Sequence, residues 1–232
     1  MNDQGSSLNS HGLRPVFRRL ALGMGANALG KVWVIGSQLV VVPVATLSWG
    51  AAGYGQWLML TTVPTYLAVS SVGFGNAAIV EMTRRFAIQD NEGVLTVFQS
   101  VWMLVSAGVL AVIAAAIAIG LFGATLSGTW ASTIDQSWVG LLAMCVYAFA
   151  AVQISIIGAG FRATNRYARG TALSEAILPL ETMAFAGVCL CGGGINAAAI
   201  AVTLVRLIAA IGYYAILKRH EPWLRLGGAN PP

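Results

Sequence analysis

The sequence predicts an all-α integral membrane protein with six transmembrane helices and with both termini in the cytoplasm. The chain of 232 residues is 57% hydrophobic and only 9% charged, and its mean hydropathy is +0.76. An average soluble domain has about 25% charged residues, so the composition excludes an ordinary soluble protein. Six apolar segments are each long enough for the roughly 20 residues that cross a bilayer. Basic residues cluster in alternate connections between these segments.

The apolar segments define the predicted domain organisation. Residues 1–25 form a cytoplasmic N-terminal segment, residues 26–217 form a six-helix transmembrane bundle, and residues 218–232 form a cytoplasmic C-terminal tail. The first apolar run is longer than the roughly 7–15 residues of a signal-peptide core, so we expect it to be a retained helix. The six segments lie at 26–49, 54–78, 94–123, 137–161, 171–191 and 195–217.

Basic residues determine the predicted orientation. Eleven of the 13 Lys and Arg residues lie at the two termini, in the connection between segments two and three, and in the connection between segments four and five. The other three connections contain none. Because cytoplasmic loops carry the excess of Lys and Arg, both termini are predicted to be cytoplasmic, in a multi-pass protein of the inner (plasma) membrane. The eleven residues are Arg14, Arg18, Arg19, Arg84, Arg85, Arg162, Arg166, Arg169, Lys218, Arg219 and Arg225.

The sequence lacks the motifs of common enzymes and metal sites. Its two histidines, His11 and His220, lie in the polar ends, and no G-x-S-x-G, H-E-x-x-H or P-loop pattern occurs. The three cysteines show no C-x-x-C spacing, which argues against a zinc site or a disulfide framework. The net charge of +5 is explained by topology. We therefore expect neither an enzyme nor a cofactor, a metal or a nucleic-acid partner.

Polar side chains inside the apolar segments form stripes along single helical faces. Lys31 and Gln38 share a face of the first segment, and Thr203 and Arg206 share a face of the sixth. Lipid does not accept such groups, so we expect them to face a common interior or cavity. The candidate substrate-binding residues are Arg206, Lys31, Glu181, Gln38, Tyr66 and Thr203.

Glu181 and Arg206 are predicted to lie at the same depth in the membrane. Glu181 is ten residues into the fifth segment, roughly 15 Å from the cytoplasmic edge, and Arg206 is roughly 16 Å from the same edge. A charged residue at a helix centre costs about 2.5–3.5 kcal/mol on insertion scales, and pairing removes much of that cost. We therefore expect either an ion pair or one shared polar cavity. Two roles remain open: a fixed link between two helices, or an Arg206 that binds an anionic substrate.

Pro179 lies between Glu175 and Glu181 in the same segment. It has no N–H to donate to the carbonyl of Glu175, so the helix is predicted to kink just before Glu181.

Two stretches resemble the polysaccharide and O-antigen flippases of the MATE-like flippase superfamily. The stretch "LSWGAAGYGQW" follows the first segment and contains a Gly-x-x-x-Tyr-Gly turn at Gly50–Gly55. The stretch "VGFGNAAIVEMTRRFAIQDNEGVLTVFQS" contains Gly73–Asn76 and Asp90–Gly93 in the order of that family. A third stretch, "GAGFRATNRYARGT", is similar to the family's connection between helices four and five.

The resemblance spans essentially the whole chain and implies one lobe of a MATE-like transporter. Such proteins move lipid-diphosphate-linked oligosaccharides from the cytoplasmic to the outer leaflet through a central, often cationic cavity. Arg206 and Lys31 are the positions that would supply the positive charge here. The implied partners are membrane lipids and the lipid-linked oligosaccharide.

The six predicted helices match only the N-terminal half of the family's twelve to fourteen helices. Alternating access needs two halves that move against one another, so the resemblance also implies a second lobe or a second copy of the chain. A truncated gene product and a half-size protein that dimerises are both open interpretations. A membrane assembly subunit that does not transport is the alternative function, in which the polar stripes contact a partner helix.

Overall fold

The computed structural model describes residues 10–126, 138–164 and 166–224, which are almost entirely α-helical and contain no β-strand. Five helices are long and apolar enough to cross a membrane, so the chain is a multi-pass, all-α membrane protein. In chain order the described helices are α1 (Ser10–Ala87), α2 (Asn91–Leu126), α3 (Trp138–Ala163), α4 (Tyr167–Glu175), α5 (Ile177–Leu190) and α6 (Ile195–His220).

Helix α1 is divided into two arms at Gly50, whose backbone is not helical (φ 72°, ψ 177°). Only glycine adopts this conformation readily. The rings of Trp49 and Trp57 are 6.1 Å apart, although eight residues of straight helix rise about 12 Å. Both rings also pack against Phe185 of α5. The chain therefore turns back at Gly50, and the two arms lie beside the same helix.

The helix boundaries differ from the predicted segments in a few places. Helix α1 begins at Ser10, within the segment predicted as a polar N-terminal extension. The first membrane-crossing candidate, Gly30–Tyr66, contains the break at Gly50, so the count of six spans stays a prediction. Residues 127–137, in the predicted connection between segments three and four, and residues 225–232, in the predicted C-terminal tail, lie outside the described residues. The other candidate spans are Asn91–Ala115, Trp138–Ala163, Tyr167–Leu190 and Ile195–His220.

The predicted interruption before Pro179 is confirmed. Helix α4 ends at Glu175 and α5 begins at Ile177, with Ala176 between them. The backbone N–H of Ala176 still bonds to the carbonyl oxygen of Ala172, at 3.1 Å. Because Pro179 cannot donate to Glu175, the helical ladder is interrupted at this point. The break lies just ahead of Glu181 in α5.

A polar residue caps the start of α2, and glycine residues cap the end of α5. Asp90 begins α2 by accepting a 2.9 Å hydrogen bond from the backbone N–H of Gly93. Gly192 has a positive φ of 77° after α5, and the N–H of Gly193 bonds to the carbonyl oxygen of Val188 at 2.8 Å. This is a Schellman C-cap. It explains why the sequence "CGGGIN" connects α5 and α6 over so few residues.

Helix α3 lies at the centre of the bundle. In its most apolar stretch 56% of the residues are buried, against 11–22% in the other candidate spans. One hydrophobic cluster joins α3 to α2 and α6 through Phe98, Phe161 and Leu217. A second cluster joins α1, α3 and α5 through Trp57, Met144 and Phe185. The second cluster forms part of the wall of the cavity described below.

Candidate functional site

A cavity of about 650 Å³ lies between the two arms of α1 and helices α3, α5 and α6. Gln38 and Thr65, one on each arm of α1, line it and are themselves exposed, so the cavity is open on the α1 side. Its lining residues are Ser37, Gln38, Val41, Tyr54, Trp57, Leu58, Thr61, Pro64, Thr65, Met144, Tyr147, Ala151, Leu178, Glu181, Thr182, Phe185, Val202 and Arg206.

Glu181 of α5 and Arg206 of α6 form an ion pair in the wall of this cavity, which confirms the predicted pairing. Arg206 Nη2 donates to Glu181 Oε2 at 2.7 Å, and Arg206 Nε lies 2.5 Å from Glu181 Oε1. The second contact is close but lacks hydrogen-bond geometry. Only 6% of the Glu181 side chain and 17% of the Arg206 side chain are exposed. Because the pair is buried, solvent ions screen its electrostatic attraction much less than they would screen an exposed pair.

Tyr147 of α3 is the third member of this group. Its hydroxyl accepts a short hydrogen bond from Arg206 Nη2 and donates to Glu181 Oε2 at 3.1 Å. The guanidinium carbon of Arg206 also lies 4.6 Å from the centre of the Tyr147 ring, which is within the range of a cation–π contact. The three side chains therefore form one polar cluster that links the central helix to α5 and α6.

The rest of the cavity wall combines hydroxyl groups with aromatic rings. Several hydroxyls bond to their own helices: Thr61 donates to the carbonyl oxygen of Leu58, and Thr182 donates to that of Leu178, at 2.9 Å each. In the same lining Trp57 and Phe185 pack with 4.8 Å between ring centres. A ligand in this space would meet one charged cluster, several hydroxyl oxygens and an aromatic surface.

The structure brings together three of the six residues predicted to bind substrate. Glu181, Arg206 and Gln38 all line the cavity. Lys31 and Tyr66 do not line it: both are exposed, Tyr66 to 72%.

Thr203 is buried between helices rather than in the cavity wall. Its hydroxyl lies 3.0 Å from the carbonyl oxygen of Ala143 on α3 and 2.7 Å from that of Ala199 on its own helix. Thr203 therefore joins α6 to α3.

Sequence reasoning missed Tyr147 and the aromatic wall. Tyr147 lies near the middle of the largely apolar segment 137–161. The hydroxyl of a tyrosine at that depth was the one sequence signal that it has a polar partner. Trp57 and Phe185 gave no such signal, because buried aromatic residues are common in any hydrophobic core. In the described part of the chain, no group of three or more His, Cys, Asp or Glu side chains could hold a metal ion.

The fold and the cavity define a multi-pass membrane protein with a polar cluster inside its helical bundle. Comparisons with protein-family models, with curated proteins and with solved structures found no match to this chain.

Proposed function

We propose that this protein is a membrane transporter, or one lobe of one, that moves a lipid-diphosphate-linked oligosaccharide from the cytoplasmic to the outer leaflet during polysaccharide biosynthesis. The proposal includes six membrane spans, cytoplasmic termini, a place in the inner membrane, and a second lobe or second copy that completes the cavity. It combines the family resemblance of the sequence with the chemistry of the cavity.

The observation that carries the proposal is the presence of Arg206 in the wall of a cavity within the membrane. Its Nε and Nη2 atoms face Glu181 and Tyr147, while Nη1 has no hydrogen-bond partner among the described residues. A guanidinium presents five N–H donors in a planar fork that matches phosphate oxygens. Glu181 thus stabilises the cation, and the donors of Nη1 remain for an anionic ligand.

The size and lining of the cavity agree with such a ligand. Cavities that hold small ligands usually measure about 300–1,000 Å³, and the 650 Å³ found here suits a diphosphate with a short saccharide. The hydroxyl groups and the Trp57 ring offer hydrogen bonds and an apolar face to sugar rings. A polyprenyl chain would remain outside, on the open α1 side and in contact with lipid.

The proposal is tested by complementing a deletion strain with variants of the pair. We expect the wild-type gene to restore polysaccharide export. We expect the double variant Arg206→Met/Glu181→Leu to reach the membrane in normal amount and to fail, because it removes the anion-binding cation without leaving a lone charge. The matched control is Arg84→Met/Glu81→Leu, which removes an ion pair on α1 whose side chains are 72% and 34% exposed. A double variant that exports normally, or normal export in the deletion strain itself, would refute the proposal.

A second candidate function is a non-transporting assembly subunit. The first candidate span is the least buried, with 11% of its most apolar stretch inside the protein. Leu39 and Leu47, on the arm of α1 that precedes Gly50, are 72% and 87% exposed. This arm therefore contacts either lipid or another helix. A photo-crosslinking residue at position 47 distinguishes the two. Capture of a different membrane protein, together with normal export after deletion, would favour the assembly role.

A further inference from the structure

Four exposed basic side chains lie at the end of the bundle where α3, α4 and α6 approach one another. Arg162 lies in the last turn of α3, Arg169 lies on α4, and Lys218 and Arg219 lie in the last turn of α6. All four side chains are exposed. We call this surface the basic site. It is separate from the cavity, whose lining contains none of these residues.

Packing beneath the basic site holds its parts in place. The rings of Phe161 and Tyr213 stack with 4.9 Å between their centres. The hydroxyl of Tyr213 donates to the carbonyl oxygen of Gly170 at 2.9 Å, and Tyr213 is almost fully buried. These contacts join α6 to α3 and α4. The basic site is therefore preformed by the fold rather than assembled from mobile tails.

The positive charge of the basic site is not balanced within the described structure. The nearby carboxylate of Glu221 is already occupied, because it accepts from Arg166 Nε at 3.1 Å and from Trp223 Nε1 at 2.9 Å. None of the four residues of the basic site forms an ion pair in the described ranges. Four like charges at one end of the bundle create a local excess that attracts an anion.

One contact at the basic site orients a guanidinium without neutralising it. Arg169 Nη1 lies 2.9 Å from His220 Nε2. A guanidinium has only donors, so in this hydrogen bond Nε2 of His220 is the acceptor. Whereas a carboxylate partner would cancel the charge of Arg169, His220 leaves that charge in place. The remaining N–H groups of Arg169 keep their capacity to bind an oxyanion.

We propose that the basic site binds the phosphate of an anionic phospholipid headgroup. It lies at the ends of the candidate spans Trp138–Ala163 and Ile195–His220, which places it at the depth of lipid phosphates. Arginine binds phosphate through parallel N–H donors, and basic pockets between transmembrane helices are known to hold anionic headgroups. The net charge of the site selects a lipid with a net negative charge over a zwitterionic one.

The test measures lipid retention on the full-length protein in a non-ionic detergent by native mass spectrometry. Phosphatidylglycerol and phosphatidylcholine with identical acyl chains are compared. We expect phosphatidylglycerol to bind more tightly than phosphatidylcholine. The variants are Arg169→Gln, Lys218→Gln and the variant with all four basic residues changed to Gln. We expect the association constant for phosphatidylglycerol to fall about fivefold per cation removed. The matched control, Arg84→Gln, removes one exposed cation that is paired with Glu81 on α1, and should bind as the wild type does.

Three results would overturn the proposal: equal retention of the two lipids, an equal loss in the Arg84→Gln control, or binding of inorganic phosphate that phosphatidylglycerol fails to displace. The last result would identify a site for a soluble anion. Thermal melting of each variant in the same detergent separates lost binding from lost folding. The single variants change exposed side chains and should melt within a degree or two of the wild type.

Discussion

Removing one member of the Glu181–Arg206 pair should destabilise the protein far more than removing both. The Glu181 side chain is 6% exposed and that of Arg206 is 17% exposed, so either residue left alone is a buried charge. Breaking a buried pair in this way costs about 3–5 kcal/mol, whereas replacing both partners with apolar residues is often close to neutral. The variants are Arg206→Met, Glu181→Leu and the double variant.

The two single variants should differ in how they accommodate the remaining charge. In Arg206→Met the carboxyl group can take up a proton, and doing so at pH 7 costs at most about 3.7 kcal/mol relative to a free glutamate. That figure is a ceiling for the penalty of the unpaired carboxylate alone. In Glu181→Leu the guanidinium stays charged and, among the described residues, keeps the Tyr147 ring and hydroxyl as its polar partners. We therefore expect Glu181→Leu to reach the upper part of the 3–5 kcal/mol range.

The assay is reversible unfolding of the purified protein in mixed micelles, followed by circular dichroism as the fraction of denaturing detergent rises. The more exposed Arg84–Glu81 pair on α1 supplies the control, since Arg84→Met, Glu81→Leu and their double variant should show a coupling of no more than about 1 kcal/mol. The expected result is a double variant more stable than either single variant. If the two single losses simply add in the double variant, the pair is not energetically coupled and the reasoning fails.

Three further predictions concern the backbone and the α1–α2 turn. Gly50→Ala should cost at least about 1–3 kcal/mol in the same assay, because alanine does not tolerate φ 72° with ψ 177°; an unchanged midpoint would mean that the chain turns differently. Gly170→Ala should cost about 1–3 kcal/mol, because the new Cβ would lie 2.6 Å from the Cβ of Phe161, whereas Gly212→Ala meets nothing within 4 Å and should be neutral or stabilising. Hydrogen bonds from Arg85 and Arg84 lower the pKa of Glu81 below 4.5, so its stabilising effect should be complete above that pH and disappear as pH falls through the lowered pKa. Glu81→Gln should lack this acid-side loss when unfolding is measured between pH 6 and pH 3, and an identical pH profile would contradict the prediction.

The polar centre of the protein could be predicted from sequence because depth is a property of a single helix. Counting residues from each end placed Glu181 and Arg206 at the same level, and the cost of isolated charges in lipid then predicted that they meet. The interruption before Pro179 was equally local, since it depends on one missing N–H. Both predictions depend only on interactions within one helix or between two adjacent helices.

The other half of the predicted site depended on tertiary packing. The stripe of Lys31 and Gln38 was placed correctly on the first arm of α1, yet only Gln38 lines the cavity. Helical spacing shows which residues share a face. That face extends further along the helix than the cavity does, so not every residue on it lines the cavity. Tyr66 directly follows the lining residues Pro64 and Thr65 but is itself 72% exposed, and Thr203 is directed into the contact with α3.

Tyr147 shows how packing completes what the sequence leaves open. A carboxylate and a guanidinium on neighbouring helices satisfy one another, but they still present further acceptors and donors that need partners. The central helix α3 supplies a hydroxyl that both donates and accepts, together with a ring beneath the guanidinium. The cluster is consequently neutral overall while its cation remains at the cavity surface. An anion entering the cavity would share Arg206 with Glu181 rather than meet a bare charge, so the strength of the pair itself limits how tightly such a ligand can bind.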